Sequence, residues 1–132
     1  MYINNIMKLL KLIFKILILL LIVISFYPGN LLGYFLYGNL EEEPVLLENY
    51  LGPYLNHFFI YMCVSTLGLF IYGRSKKFKK VVYGLFFLAT FLEILHLILP
   101  YRTFEIGDLL ANILGVTVAY FAVKIYLFPI KT

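Results

Sequence analysis

Four side chains that can bind ligands or transfer protons occur as two pairs within apolar segments of this sequence. His57 precedes Tyr61 by four residues, and Glu93 precedes His96 by three. Each spacing places both members of a pair on one face of a helix. A carboxylate within an apolar helix costs about 2.5 to 3.5 kcal/mol on membrane-insertion scales. Glu93 therefore predicts a functional site or an interhelical polar network.

A second set of polar and small residues follows Pro100. Its members share one helix face, and they are Asp108, Asn112, Gly115 and Ala119. Asp108 is expected to cap its own helix by accepting a bond from a free backbone N–H. Ala111 adds a second series with a small residue at every fourth position, a pattern that lets membrane helices approach closely. This helix is therefore predicted to be central in its bundle.

The composition is that of a membrane protein. Of the 132 residues, 63% are hydrophobic and 14% are charged, and the mean hydropathy is +0.93, well beyond the apolar share of soluble domains. The length fits a single membrane domain, 1–132, and leaves no room for a separate soluble catalytic domain. The net charge of +4 comes from basic residues beside hydrophobic runs, which is the usual membrane pattern and argues against a nucleic-acid partner.

Hydropathy predicts an all-α bundle of four transmembrane helices. The predicted spans are 9–27, 57–73, 81–99 and 108–128. Residues 28–56 are broken by glycine and proline but rich in tyrosine and phenylalanine, so we expect an outer segment that lies along the membrane interface. With four spans, the basic residues near both ends of the chain and in the connection 73–80 fall on one side, which predicts that both termini are cytoplasmic.

This topology places the candidate side chains near the outer face. Glu93 lies seven residues before the proline that ends its run, so we expect it about 10 Å below the outer end of the helix, at ~1.5 Å per residue. Asn112 should lie at a comparable depth on the antiparallel neighbour. We predict that Glu93, Asn112 and Asp108 border one cavity that opens outward, with His57 and Arg102 at its rim.

Four stretches of the sequence carry a resemblance to a known family. They are 56–61 (NHFFIY), 83–84 (YG), 93–102 (EILHLILPYR) and 107–115 (GDLLANILG). Their order of His, then Glu with Pro-x-Arg, then Asp-x-x-x-Asn-x-x-Gly resembles the VanZ-like family of bacterial membrane proteins over the last three spans. The sequence departs from the family pattern at Asn56, where the family usually has Lys, and at His96, where it usually has Gln.

The resemblance implies a multi-pass protein of the bacterial cytoplasmic membrane. The family takes its name from an accessory protein of glycopeptide resistance that is associated with low-level resistance to teicoplanin, and some relatives are encoded near envelope polysaccharide genes. It therefore implies a role in the cell envelope rather than a defined reaction.

We accordingly expect a binding or accessory protein that recognises an envelope lipid, a lipid-linked glycan or a lipoglycopeptide at the outer leaflet. Its partners would be membrane lipids and, as a further candidate, another membrane protein. The candidate ligand-binding residues are His57, Tyr61, Glu93, His96, Arg102, Asp108 and Asn112. Arg102 would contact phosphate or carboxylate, although pairing with Glu105 is an alternative for this side chain.

Two other classes of function stay open at this level. In an enzyme, Glu93 or His57 would act as the acid–base catalyst of a hydrolase or transferase on the same substrates. In a structural subunit, Glu93, Arg102 and Asp108 would hold the bundle or a partner together. The sequence leaves the protonation of Glu93 and His96 undecided between these functions.

A metal site is a further alternative. Its ligands would be His57, His96, Glu93 and Asp108, whose nitrogen and oxygen atoms suit zinc. These residues come from three predicted helices and lack any diagnostic short spacing. The sequence therefore predicts no metal and no cofactor.

Overall fold

The computed structural model describes residues 2–27, 29–42, 44, 50–100 and 102–128. The helices are α1 (Tyr2–Phe26), α2 (Leu31–Tyr37), α3 (Gly52–Tyr72), α4 (Phe78–Leu95) and α5 (Ile106–Leu127). No strand occurs among the described residues. The predicted all-α class is therefore confirmed.

Three helices, α1, α3 and α5, are long and apolar enough to cross a membrane. Helix α4 is not among them, because its 18 residues include the charged side chains of Lys79, Lys80 and Glu93. The three charges lie in its first and last turns. The predicted count of four spans stays a prediction, and so does the orientation of the termini.

A short helix occupies part of the segment that was expected to lie along the interface. Asn30 caps α2 by accepting a hydrogen bond from the Gly33 backbone N–H at 2.9 Å. Gly38 ends the helix in the left-handed region, with φ at 73°, where glycine carries no steric penalty. Tyr34 and Phe35 are both exposed, as is common for aromatic residues at a membrane surface.

Helix α3 begins five residues earlier than the expected start at 57, since its first residue is Gly52. The sequence interpretation took Pro53 as a break. Proline is tolerated in the first turn of a helix, where its missing N–H has no intrahelical partner to lose. Pro53 therefore starts this helix instead of ending the preceding segment.

The facing ends of α4 and α5 also differ from expectation. Helix α4 stops at Leu95, so Glu93 lies in its last turn and the expected depth of about 10 Å below the helix end, at ~1.5 Å per residue, is wrong. Helix α5 begins after Glu105, which is its N-cap residue. Asp108 is therefore not the cap, and the expected capping role is wrong. Asp108 lies instead in the first turn, where the positive end of the helix dipole favours an acidic side chain.

Helix α5 packs against both α3 and α4, while α1 packs against α3 and α4. Gly115 lies where α5 approaches α3 most closely: a Cβ atom there would lie 2.5 Å from the Phe58 carbonyl oxygen and 3.0 Å from the Met62 nitrogen. Ala111 and Ala119 are also buried. Small residues thus lie where α5 packs closely on α3, but α3, which contacts α1, α4 and α5, has more neighbouring helices than α5.

The long helices alternate in direction. Arg102, just before α5, reaches the last turn of α1, and the Glu105 backbone reaches Glu93 in the last turn of α4. The ends of α1 and α4 therefore meet the beginnings of α3 and α5, and we call this the site end. The opposite end carries the basic turn between α3 and α4, with Arg74, Lys76, Lys77, Lys79 and Lys80, and we call it the basic end.

Candidate functional site

Helices α3, α4 and α5 bring five polar side chains together inside the site end. We call this group, His57, Glu93, His96, Asp108 and Asn112, the polar cluster. His57 Nδ1 lies 3.0 Å from Asn112 Oδ1, and Asn112 Nδ2 donates to Glu93 Oε2 at 3.4 Å. His57 Nε2 lies 3.7 Å from Asp108 Oδ2. Three separate helices thus contribute to one connected set of contacts.

Asn112 determines which ring nitrogen of His57 carries a proton. Its Nδ2 faces two acceptors, Glu93 Oε2 and the Ala89 carbonyl oxygen, the latter at 3.5 Å. Its Oδ1 can only accept, so His57 Nδ1 must be the donor in the 3.0 Å contact. The other ring nitrogen, Nε2, is therefore the one that faces Asp108.

Glu93 is the most enclosed ionisable group of the cluster, with 1% of its surface exposed. Its Oε1 accepts from the Glu105 backbone N–H at 3.4 Å and lies 3.3 Å from His96 Nδ1. Among the described residues, His96 is its only ion-pair partner. The burial comes from the connection before α5, which folds over the end of α4, rather than from depth within the helix.

His96 follows the last residue of α4 as its C-cap. The expected pairing with Glu93 is present, although His96 lies outside the helix that was predicted to hold it. Its Nε2 is buried and has no hydrogen-bond partner in the described part of the chain. His96 therefore contacts the cluster through Nδ1 alone.

Exposure increases from the inside of the cluster to its edge. Asn112, like Glu93, is 1% exposed, whereas the side chains of His57 and Asp108 are 26% and 14% exposed. Asn112 and Glu93 are thus closed off in this structure. His57 and Asp108 form the accessible rim.

Tyr54 and Glu105 lie near the rim but were absent from the predicted set. The Tyr54 hydroxyl donates to Glu105 Oε2 at 3.3 Å. The Tyr54 ring packs over Gly107, where a Cβ atom would lie 2.5 Å from the ring. A sequence signal existed, because Tyr54 precedes His57 by three residues and thus shares its helix face.

Two predicted site residues, Arg102 and Tyr61, lie outside the polar cluster. Arg102 Nε donates to the Tyr27 carbonyl oxygen at 3.1 Å, and Nη2 donates to the Ile24 carbonyl oxygen at 2.8 Å. The Ile24 carbonyl lies in the last turn of α1 and also accepts from the Tyr27 N–H, and the Tyr27 carbonyl directly follows the helix, at an end where most backbone acceptors lack intrahelical partners. Tyr61 is buried in the hydrophobic core beneath the cluster. Ligand binding by Tyr61 and by Arg102 stays a prediction.

The cluster offers two kinds of chemistry. The rim presents an imidazole nitrogen beside a carboxylate, which can bind hydroxyl, amide or ammonium groups. One donor atom from each of His57, Glu93 and Asp108 also lies within 4.8 Å of the others, an arrangement that could hold a metal ion.

The long helices expose apolar side chains and enclose a group of polar side chains at one end. These features define an all-helical membrane protein with a polar site. A model of the VanZ/LLP1 family matches residues 3–128, nearly the whole chain. The protein belongs to the VanZ/LLP1 family, and the resemblance seen in the last three predicted spans is confirmed and extends through α1. Neither the curated proteins nor the solved structures contain a match to this chain.

Proposed function

We propose that this VanZ-family membrane protein binds the polar group of an envelope lipid or lipid-linked glycan at the outer leaflet, through the rim of the polar cluster. The observation that carries the proposal is the partly exposed His57 ring beside Asp108. The buried Asn112 side chain holds that ring from below. A binding group fixed by a buried partner loses little conformational freedom when a ligand arrives.

The proposal includes a topology of four spans with both termini in the cytoplasm. Helix α4 would be the additional span, third in chain order. Its 18 residues extend about 27 Å, close to the thickness of the hydrocarbon core. Lys79 and Lys80 lie in its first turn at the basic end, where lysines reach the headgroups. The excess of basic residues at that end favours a cytoplasmic location, which places the site end outside.

The surroundings of the rim favour a ligand that approaches from the lipid. Ile106 and Leu110, in the first two turns of α5, are exposed apolar side chains suited to acyl or polyprenyl chains, and they lie on the side of the helix away from Asp108. Ligand sites are typically apolar with a few convergent polar groups. A lipid-linked ligand would keep its chain in the lipid around the site end and place its polar group at His57. Such a ligand would also connect the site to the envelope role that the resemblance implies.

Arg102 has a different role in this proposal from the phosphate contact that we expected from the sequence. Its guanidinium bonds to two α1 carbonyls, so we assign it to holding α1 against the bundle. Recognition of the ligand then rests on His57 and Asp108, with Glu93 and Asn112 beneath them.

Site-specific photocrosslinking tests the function. A photoreactive residue at Ile106 lies in the first turn of α5 at the site end, and one at Tyr126 lies at the basic end of the same helix; these positions are 62% and 72% exposed. We expect the Ile106 probe to capture an envelope lipid or lipid-linked glycan that the Tyr126 probe does not capture. The substitution His57→Gln should reduce that adduct. Identical adducts at both positions, unchanged by His57→Gln, would contradict the proposal.

Thiol labelling in whole cells tests the topology. In a Cys63→Ser background, Glu105→Cys at the site end should react with a membrane-impermeant reagent added outside. Ser75→Cys at the basic end should react only after the cells are permeabilised. Both native residues are exposed, so access from the adjoining solution is not limited by the fold. The reverse pattern would refute the orientation.

A further inference from the structure

The spacing of donor atoms at the rim is closer to that of metal ligands than to that of hydrogen-bonded partners. His57 Nε2 and Asp108 Oδ2 are 3.7 Å apart, beyond the usual range of about 2.7 to 3.2 Å for a hydrogen bond. Two ligands of a tetrahedral zinc ion with bonds of about 2.0 Å are separated by about 3.3 Å. Glu93 supplies a third donor atom within 4.8 Å of both.

The contact between His57 and Asn112 is a second, independent indication. A histidine that binds a metal through one ring nitrogen almost always donates a hydrogen bond from the other, which fixes the tautomer and the ring orientation. Asn112 Oδ1 accepts such a bond from His57 Nδ1 at 3.0 Å. The lone pair of neutral His57 is thereby left on Nε2, facing a carboxylate oxygen that also carries only lone pairs. A cation between the two atoms removes this conflict.

Charge leads to the same conclusion. Glu93 and Asp108 together carry two negative charges when ionised, and Glu93 is almost fully buried. Burying charges in a medium of low dielectric is costly unless they are compensated. A divalent cation would balance both carboxylates, in addition to the ion pair that Glu93 forms with His96.

We propose that His57, Glu93 and Asp108 form a binding site for a divalent transition-metal ion, with Zn²⁺ as the best match. Imidazole suits zinc and similar ions, whereas Ca²⁺ and Mg²⁺ favour sites made of oxygen ligands alone. Asn112 orients the imidazole, and His96 contacts Glu93 Oε1. Three protein ligands leave a fourth position for water or for an oxygen of the bound ligand. The metal site goes beyond the proposed function and does not depend on it, since the ion is held by the protein alone.

Metal retention by the purified full chain tests the site. The protein in detergent is stripped with a chelator, equilibrated with Zn²⁺ and desalted, and zinc per chain is then measured by mass spectrometry. We expect one ion per chain for the native sequence and background levels for His57→Gln and for Asp108→Asn. The matched control is Glu105→Gln, because Glu105 is a carboxylate at the same end whose side chain bonds to Tyr54. That variant should retain the full amount.

Co²⁺ provides a second measurement on the same variants. A four-coordinate Co²⁺ ion should give intense visible absorption in the native protein and in Glu105→Gln, and this absorption should disappear in His57→Gln. His57 is at the partly exposed rim, so its replacement should preserve the helical circular dichroism that verifies folding. The substitution Asn112→Ala should lower Zn²⁺ affinity by about 10- to 100-fold through loss of the orienting bond. Background zinc in the native protein, or equal retention in the folded His57→Gln variant, would overturn the proposal and leave a protonated His57 paired with Asp108.

Discussion

Adding one methyl group at Gly115 should separate α3 from α5. The new Cβ of Gly115→Ala would lie 2.5 Å from the Phe58 carbonyl oxygen, about 0.9 Å short of the 3.4 Å at which ordinary contact begins. It would also lie 3.0 Å from the Met62 nitrogen. Both atoms belong to the backbone, so no side-chain rotation relieves the overlap. The two helices must move apart.

The magnitude follows from that displacement. A gap of 0.5 to 1 Å forfeits about a quarter to a half of the dispersion energy of each affected contact, and overpacking of tightly packed cores typically costs about 1 to 3 kcal/mol. We therefore expect Gly115→Ala to lower the free energy of unfolding by about 1 to 3 kcal/mol. His57 directly precedes Phe58, so the same movement should lengthen its bond to Asn112.

Unfolding by sodium dodecyl sulfate in mixed micelles, followed by circular dichroism, gives the measurement. The chain has no tryptophan, which makes helix content a better signal than fluorescence. Gly84→Ala is the matched control, because Gly84 lies on the exposed face of α4 with no atom within 4 Å of its added Cβ. This control should be neutral or slightly stabilising, by at most about 1 kcal/mol. Equal stability of the two variants would refute the reasoning.

Three further substitutions separate the roles of the polar groups at the site end. Arg102→Gln removes the guanidinium donor to two α1 carbonyls, and it should increase the rate of proteolysis near the end of α1, with Arg102→Lys intermediate because lysine lacks the planar fork. Asn112→Leu leaves the buried Glu93 without its amide donor, which should cost about 1 to 3 kcal/mol in the same unfolding assay. Tyr54→Phe removes an exposed bond to Glu105, and its unfolding free energy should stay within about 0.5 kcal/mol of the native value.

The convergence of His57, Glu93 and Asn112 could be predicted from the sequence for a definite reason. The short connection after Pro100 forces α4 and α5 to be antiparallel neighbours, and helical spacing fixes which residues of α5 share a face. These are local constraints that hydropathy and periodicity record. The small residues of α5 likewise predicted a close approach to a neighbouring helix, but the identity of that neighbour, α3, came only from the structure.

The helix ends could not be predicted, because hydropathy reports the surroundings of a segment rather than its backbone conformation. Leu97 and Ile98 continue the apolar run after α4 ends, and both are exposed, as expected for side chains that face lipid. The run therefore appeared to be helix up to 99. The start of α5 also differs from expectation: the helix begins at Ile106 and not near 108, so Asp108 lies in its first turn.

The hydrogen-bond acceptors of Arg102 could not be predicted for a different reason. Its acceptors are backbone carbonyls about 75 positions earlier in the chain, and backbone carbonyls leave no mark in the sequence. Only the packing of α1 beside the connection to α5 makes them available. Tyr61 was likewise assigned to the site by spacing alone, whereas packing placed its side chain in the core.

The bond between Arg102 and α1 has a consequence for biogenesis. Helix α1 is synthesised first and its apolar window is only 6% buried by the rest of the protein, so it enters the bilayer as an almost independent segment. Arg102 is added 75 residues after Tyr27, after both α3 and α4 have been synthesised. The bond that fixes the end of α1 must therefore wait for the segment that precedes α5, and a chain truncated before Arg102 would keep only the packing of α1 on α3 and α4.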